Sequence, residues 1–80
     1  MRPVLLPRRM GALELYPAAV ARSEPAAYYD LQTRCARCEY YERCERDLRC
    51  DPADPTWRSY CSNATLLIAL TELWWLKTLL

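Results

Sequence analysis

The cysteines are the residues of this chain best suited to chemistry. The sequence contains five of them, spaced Cys35-x2-Cys38-x5-Cys44-x5-Cys50-x10-Cys61. A C-x2-C pair can present two thiolates to one metal ion, and two further thiolates complete a tetrahedral zinc site or hold an iron–sulfur cluster. Because the sequence contains no histidine, such a site must be all-thiolate or must borrow an oxygen ligand.

Five cysteines compete for four ligand positions. Cys44 is predicted on the apolar face of a helix, and Cys61 closely precedes the start of the last helix. Cys50 stands next to a charged, proline-containing segment. We therefore predict that Cys35, Cys38, Cys44 and Cys61 form the metal site and that Cys50 is the spare.

The residues around the C-x2-C pair favour an iron–sulfur cluster, of the 4Fe-4S type, as the cofactor. Zinc knuckles usually have a glycine or another turn residue beside the pair, whereas the neighbours here are compatible with a helix. Apolar and aromatic groups often shield a cluster, and four aromatic side chains are candidates: Tyr40, Tyr41, Trp57 and Tyr60. Zinc is the alternative cofactor. The interpretation without metal is that the cysteines are small buried apolar residues or form one or two disulfides.

The N-terminal segment bears on the redox environment. A secretory signal needs a continuous apolar core of roughly 7–15 residues, and Pro3, Pro7 and Pro17 are among the residues that interrupt Met1–Val20. We therefore expect a cytoplasmic protein, either free or at the cytoplasmic face of a membrane complex. Thiols stay reduced there, which favours metal binding or redox chemistry over a disulfide framework. The odd number of cysteines also leaves one thiol unpaired.

Length and charge exclude several classes of protein. Eighty residues make one domain at most, and a chain of this size often needs a metal, a disulfide or a partner for stability. The net charge of +1, from 11 basic and 10 acidic residues, does not predict a nucleic-acid partner, whose binding rests on neutralised phosphates. The sequence has no glycine-rich phosphate loop and no nucleophile motif, so we predict that the chain is not an enzyme.

The cysteine segments resemble a family of small proteobacterial cysteine-rich domains of unknown function. The similar stretches are Cys35–Cys38, Cys44–Leu48 and Trp57–Ala64, within a region of about residues 28–70. The family pattern is C-x2-C, five residues, a cysteine with a following leucine, then C-x-N-A and an apolar helix. The resemblance implies that Cys35, Cys38, Cys44 and Cys61 act together and that Cys50 is extra. It implies no established activity.

The predicted fold is all-α, with an extended N-terminal arm over residues 1–23 and a helical four-cysteine domain over residues 24–80. One short helical stretch is predicted in the arm, around Met10–Leu15. Ser23 is a predicted N-cap with Pro25 in the following first turn, and that helix runs into Cys35.

Three further elements are predicted after the C-x2-C pair. A second helix covers Glu39–Leu48, and the prolines at 52 and 55 end it. A short turn then carries Trp57. The last helix is long and apolar, begins at a cap formed by Asn63 or the neighbouring Ser62, and covers residues 64–80.

The last helix is apolar on nearly every side, and its only charged residues are Glu72 and Lys77. A surface helix normally has one apolar stripe. We therefore expect a further surface to bury the remaining apolar sides of the last helix. The candidates are the N-terminal arm, a partner or second copy of the chain, and a membrane. A membrane span takes about 17–25 residues, and a mid-span glutamate would cost about 2.5–3.5 kcal/mol. We predict partner contacts by Leu66, Leu70, Leu73, Trp74, Trp75 and Leu79.

These observations lead to three hypotheses about function. The first is a metal-binding accessory or interaction subunit that docks on a larger protein complex through its C-terminal helix. The second is a small iron–sulfur electron-transfer protein. The third is a regulator that senses redox conditions through its thiols or its cluster.

Overall fold

A computed structural model describes the backbone of residues 4–79 and the side chains of residues 4–77. Residues 4–79 contain five α-helices: α1 (Leu6–Ala12), α2 (Pro17–Ser23), α3 (Pro25–Ala36), α4 (Tyr41–Cys50) and α5 (Ala64–Leu79). A 3-10 helix, η1 (Pro55–Ser59), lies between α4 and α5. The described residues contain no β-strand. The prediction of an all-α fold is therefore confirmed.

Prolines determine where several elements begin. The first turns of α1, α2, α3 and η1 each contain one, at Pro7, Pro17, Pro25 and Pro55. Proline is well tolerated in the first turn because its missing N–H would have no partner within the helix.

Two predicted helix boundaries were wrong. Ser23 is the last residue of α2, and Glu24, which makes no side-chain capping bond, precedes α3. The second helix covers Tyr41–Cys50 rather than Glu39–Leu48.

The prediction of an extended N-terminal arm was also wrong. Residues 6–12 and 17–23 form α1 and α2, and the buried side chains of Leu6, Met10, Leu15 and Val20 belong to the same core cluster as Trp57 and Leu67. The arm folds because Pro7 and Pro17 start helices instead of preventing them. The predicted helical stretch at Met10–Leu15 was misplaced as well, since α1 ends at Ala12 and Glu14 turns the chain with a left-handed φ of 61°.

The first two turns of α5 contribute side chains to the core, whereas its C-terminal part carries exposed apolar side chains. Ala64, Leu67 and Leu70 are buried, whereas Trp75 and Leu76 are 64% and 60% exposed. No helix in the described part of the chain is long and apolar enough to cross a membrane.

Asn63 connects α5 to α3. Its carbonyl accepts the backbone N–H of Leu67 at 2.8 Å, as expected of the residue that precedes a helix. Its buried side chain donates from Nδ2 to the carbonyl of Leu31 at 2.9 Å. The Oδ1 atom of Asn63 is buried and has no hydrogen-bond partner among the described residues, so Asn63 does not form the predicted side-chain cap. Its side chain instead ties α5 to α3.

Candidate metal centre

The four cysteines predicted to act together line one cavity. Cys35 lies in the last turn of α3, Cys38 in the α3–α4 connection, Cys44 in the first turn of α4 and Cys61 between η1 and α5. The cavity has a volume of about 30 Å³. Its other lining residues are Leu5, Leu6, Arg9, Tyr41, Tyr60, Ser62, Asn63 and Leu67. Cys50 is exposed and does not line the cavity.

The end of α3 brings the C-x2-C pair to the cavity. The backbone N–H of Cys38 donates to the carbonyl of Cys35 at 3.1 Å, which turns the chain back as the helix ends. The neighbours of the pair permit this tight turn without a glycine, since Arg37 occupies the helix boundary with a φ of −99°.

Each of the four sulfurs receives a hydrogen bond from an N–H group. The Tyr40 backbone donates to Cys38 Sγ at 3.4 Å, and Arg9 Nη2 donates to Cys44 Sγ at 3.3 Å. Cys35 accepts from the backbone of Leu5, and Cys61 accepts from the backbone of Asn63. Hydrogen bonds of this kind orient metal-bound thiolates and tune the metal group.

Burial and the neighbouring cysteines oppose ionisation of Cys35 and Cys61. Burial raises the pKa of Cys35; the Leu5 backbone opposes the rise, and the charges of Cys38, Cys44 and Cys61 add to it. Burial also raises the pKa of Cys61; the Asn63 backbone lowers it, Cys44 and Cys38 raise it and Arg9 lowers it. A bound metal cation would reverse this balance, because it stabilises the thiolate form.

Arg9 is a buried charge at the edge of the cavity. The residue is 3% exposed, and its guanidinium carbon lies 5.1 Å from the ring centroid of Trp57. Its Nε and Nη1 atoms are buried and find no hydrogen-bond acceptor among the described residues. A buried charge is costly unless it is paired. A negatively charged group in the cavity would therefore stabilise the Arg9 guanidinium.

Sequence reasoning missed Arg9 because it placed this residue in the arm. A signal was present: once Pro7 is taken as a first-turn residue, Leu5, Leu6 and Arg9 follow the three-and-four spacing of one helix face. Arginine on an otherwise apolar face is a candidate for a buried partner of negative charge.

The aromatic residues are divided between the cavity and its surroundings. Tyr41 and Tyr60 line the cavity, whereas Trp57 packs in the core and Tyr40 does not line the cavity. The Tyr60 hydroxyl donates to Asp47 Oδ2 at 2.8 Å. Burial and this bond raise the pKa of Tyr60 far above its ordinary value, so its hydroxyl remains a donor at neutral pH.

The donor set fits a soft metal, although the geometry is not that of a closed site. Four sulfurs without histidine suit zinc or an iron–sulfur cluster. Among the described residues, however, no group of three or more cysteine, aspartate or glutamate side chains is spaced to hold a metal ion. The cavity therefore gathers the four cysteines, and their coordination of one metal stays a prediction.

The residues predicted for partner binding occupy different environments. Leu70 is 4% exposed and belongs to the chain's own core, so its assignment to a partner surface was wrong. Leu66 and Trp74 are partly buried against the same core, and Leu73 is half-buried. Trp75 is exposed. The side chain of Leu79 lies outside the described residues.

An open groove lies beside the exposed part of α5. It has a volume of about 700 Å³. Its lining residues are Gly11, Leu13, Glu14, Leu15, Tyr16, Pro17, Thr71, Trp74 and Trp75. Sequence reasoning missed both Leu76, which is exposed beside Trp75, and Tyr16, which is exposed in the α1–α2 connection.

Comparison with known proteins gives no match. The chain matches no protein-family model, and the searches of curated proteins and of solved structures likewise find no similar chain. The resemblance to the proteobacterial cysteine-rich family therefore stays a prediction.

Proposed function

We propose that this chain is a small metal-binding accessory module in which Cys35, Cys38, Cys44 and Cys61 hold one zinc ion or one iron–sulfur cluster. The observation that supports the proposal is that these four cysteines, which come from three separate parts of the chain, line a single cavity. The fifth cysteine, Cys50, is exposed elsewhere.

A metal at this position would join the parts of the chain that carry its ligands. One bound group would cross-link α3, α4 and the segment between η1 and α5, in a chain too small to rely on its core alone. Metal binding that requires the folded site contributes directly to folding stability. Zinc would supply only this cross-link, whereas a cluster would also supply one-electron chemistry.

The decisive experiment is metal and acid-labile sulfide analysis of the chain purified without oxygen. About one zinc ion, or one cluster's complement of iron and sulfide, per chain would support the proposal. A monodisperse, folded chain that contains neither metal, and that takes up neither zinc nor reconstituted iron and sulfide, would refute it.

The accessory role rests on the exposed apolar surface of α5. Trp75 and Leu76 project into solvent beside a groove that also contains Tyr16 and Trp74. Exposed apolar patches on small proteins commonly mark interaction sites, and tryptophan is enriched among residues that dominate binding. We propose a larger protein subunit as the partner, with self-association as the alternative.

Electron transfer is a second candidate function, and one observation favours it. Cys38 lines the thiol cavity and also lines an open surface groove of about 270 Å³. A cluster held by Cys38 would therefore lie close to the protein surface, where a redox partner could approach. Reversible reduction of the isolated cluster would support this role, and a colourless zinc protein would exclude it.

A further inference from the structure

We infer that Arg9 adapts this cavity to an iron–sulfur cluster rather than to a single zinc ion, by donating hydrogen bonds to the inorganic sulfides of the cluster. The inference rests on the proposed metal site and specifies which group that site takes. Its basis is that the buried guanidinium has donor atoms without an acceptor among the described residues.

Two of the three donor atoms of Arg9 lack an acceptor among the described residues. Nη2 donates to Cys44 Sγ, while Nε and Nη1 are buried and unpartnered among the described residues. The other three sulfurs already accept backbone N–H groups, from Leu5, Tyr40 and Asn63. An unsatisfied buried donor costs about 1–3 kcal/mol, and more when it is charged.

Zinc and a cluster differ in what they add to this balance. A zinc ion or a cluster bound by four thiolates has a net negative charge, which a guanidinium can offset in both cases. Charge alone therefore does not distinguish zinc from a cluster. A zinc ion adds no hydrogen-bond acceptor to those of the four thiolate sulfurs. A cluster brings sulfides, and hydrogen bonds to cluster sulfurs are among the features by which proteins adjust such centres.

Packing holds the guanidinium at the cavity. Trp57 is buried and lies against Arg9, and a cation over an aromatic face is stabilised there. Arg9 also lines the cavity itself. The cavity has a volume of about 30 Å³, so a cluster would have to move the cysteine side chains apart as it is loaded; all four are only partly buried.

The test compares the wild-type chain with Arg9→Met, which removes the donors and charge, and Arg9→Lys, which keeps the charge but loses the guanidinium fork. Arg8→Met is the matched control, since Arg8 is an exposed neighbour on the same helix. Each protein is reconstituted without oxygen from ferric iron, sulfide and an excess of a reducing thiol, or loaded separately with zinc. Iron, acid-labile sulfide and visible absorbance are measured, followed by loss of metal to a chelator.

We expect the wild-type chain to hold iron and sulfide in equal amounts. Loss of a supporting residue around a metal site commonly costs about 10–100-fold in affinity, so Arg9→Met should release its cluster about 10–100-fold faster while its zinc release changes less. Arg9→Lys should fall between the two, and Arg8→Met should match the wild type.

Three results would overturn the inference in distinguishable ways. A wild-type chain that binds zinc but forms no cluster would refute it and leave the metal site standing. Binding of neither group would refute the proposed function itself. Equal cluster retention by wild type and Arg9→Met would show that Arg9 does not stabilise the cluster. If Arg9→Met does not fold, as judged by its circular dichroism, the wild-type sulfide content and the Arg9→Lys release rate decide the matter.

Discussion

Cys50 differs from the other cysteines in its surroundings, and this difference gives a direct test of the ligand set. It is exposed at the last residue of α4, whereas Cys44 and Cys61 line the cavity. We expect Cys50→Ser to retain the full metal content per chain and Cys44→Ser and Cys61→Ser to lose most of it. The measurement is metal per chain after purification without oxygen. Equal losses in all three variants would show that the spare cysteine was wrongly chosen.

Asn63 acts through one buried hydrogen bond. In Asn63→Ala, the bond from Nδ2 to the Leu31 carbonyl is lost and a small void replaces the amide. We expect a destabilisation of about 1–3 kcal/mol, measured by urea denaturation of the metal-free chain. The exposed Thr65, two residues away, provides the control: Thr65→Ala should change stability by no more than about 0.5 kcal/mol. A similar loss in both variants would mean that the connection between α5 and α3 does not depend on this bond.

At the scale of elements, η1 depends on the side chain of Asp54. Its Oδ1 accepts the backbone N–H of Thr56 at 2.9 Å and the hydroxyl of the same residue at 2.6 Å. These bonds lower the pKa of Asp54. Because the folded pKa is below the unfolded one, the stabilisation is fully present above the unfolded pKa and is lost as pH falls through the folded pKa.

We therefore expect Asp54→Ala to lower the melting temperature at neutral pH and to have progressively less effect in acid, as pH falls below the ordinary carboxyl range. Thermal unfolding of wild type and variant between neutral pH and strong acid measures this difference. Asp30→Ala, at an exposed position in α3, serves as the control. A constant difference between wild type and Asp54→Ala at all pH values would mean that the carboxylate does not cap η1.

The elements also show what the sequence could and could not predict. The grouping of Cys35 with Cys38 and the turn around Trp57 depend on local spacing and on prolines, so they were accessible from the sequence. The packing of α1 was not, because it depends on contacts between residues far apart in the chain, such as Arg9 with Cys44. For the same reason Leu70 could not be assigned to the core: a helix apolar on nearly all sides does not reveal which side its neighbours cover.

At the scale of the whole molecule, the exposed surface of α5 predicts association. Trp75 and Leu76 are exposed, and burying a large apolar side chain contributes roughly 1.5–3 kcal/mol. We expect the wild-type chain to self-associate as its concentration rises when no partner is present, and the double variant Trp75→Gln, Leu76→Gln to remain monomeric with its metal content unchanged. Light scattering coupled to size-exclusion chromatography measures the molar mass.

The control for this experiment is Tyr29→Gln, which removes a side chain that is 68% exposed on α3. It should associate like the wild type. A wild-type chain that stays monomeric at high concentration would exclude self-association and leave a different protein as the partner to be sought.

The position of α1 has a consequence for the dynamics of the chain. The segment from Leu5 to Arg9 donates hydrogen bonds to two of the four sulfurs, those of Cys35 and Cys44. The stability of its packing against the cysteines therefore depends on how strongly those sulfurs accept hydrogen bonds. Thiolates bound to a metal accept more strongly than neutral thiols, since hydrogen bonds to ionised groups are the stronger ones. Local opening of a short helix is controlled by few contacts. The amide protons of α1 should therefore exchange with deuterium faster in the metal-free chain than in the loaded one, and the N-terminal helix becomes a reporter of whether the site is filled.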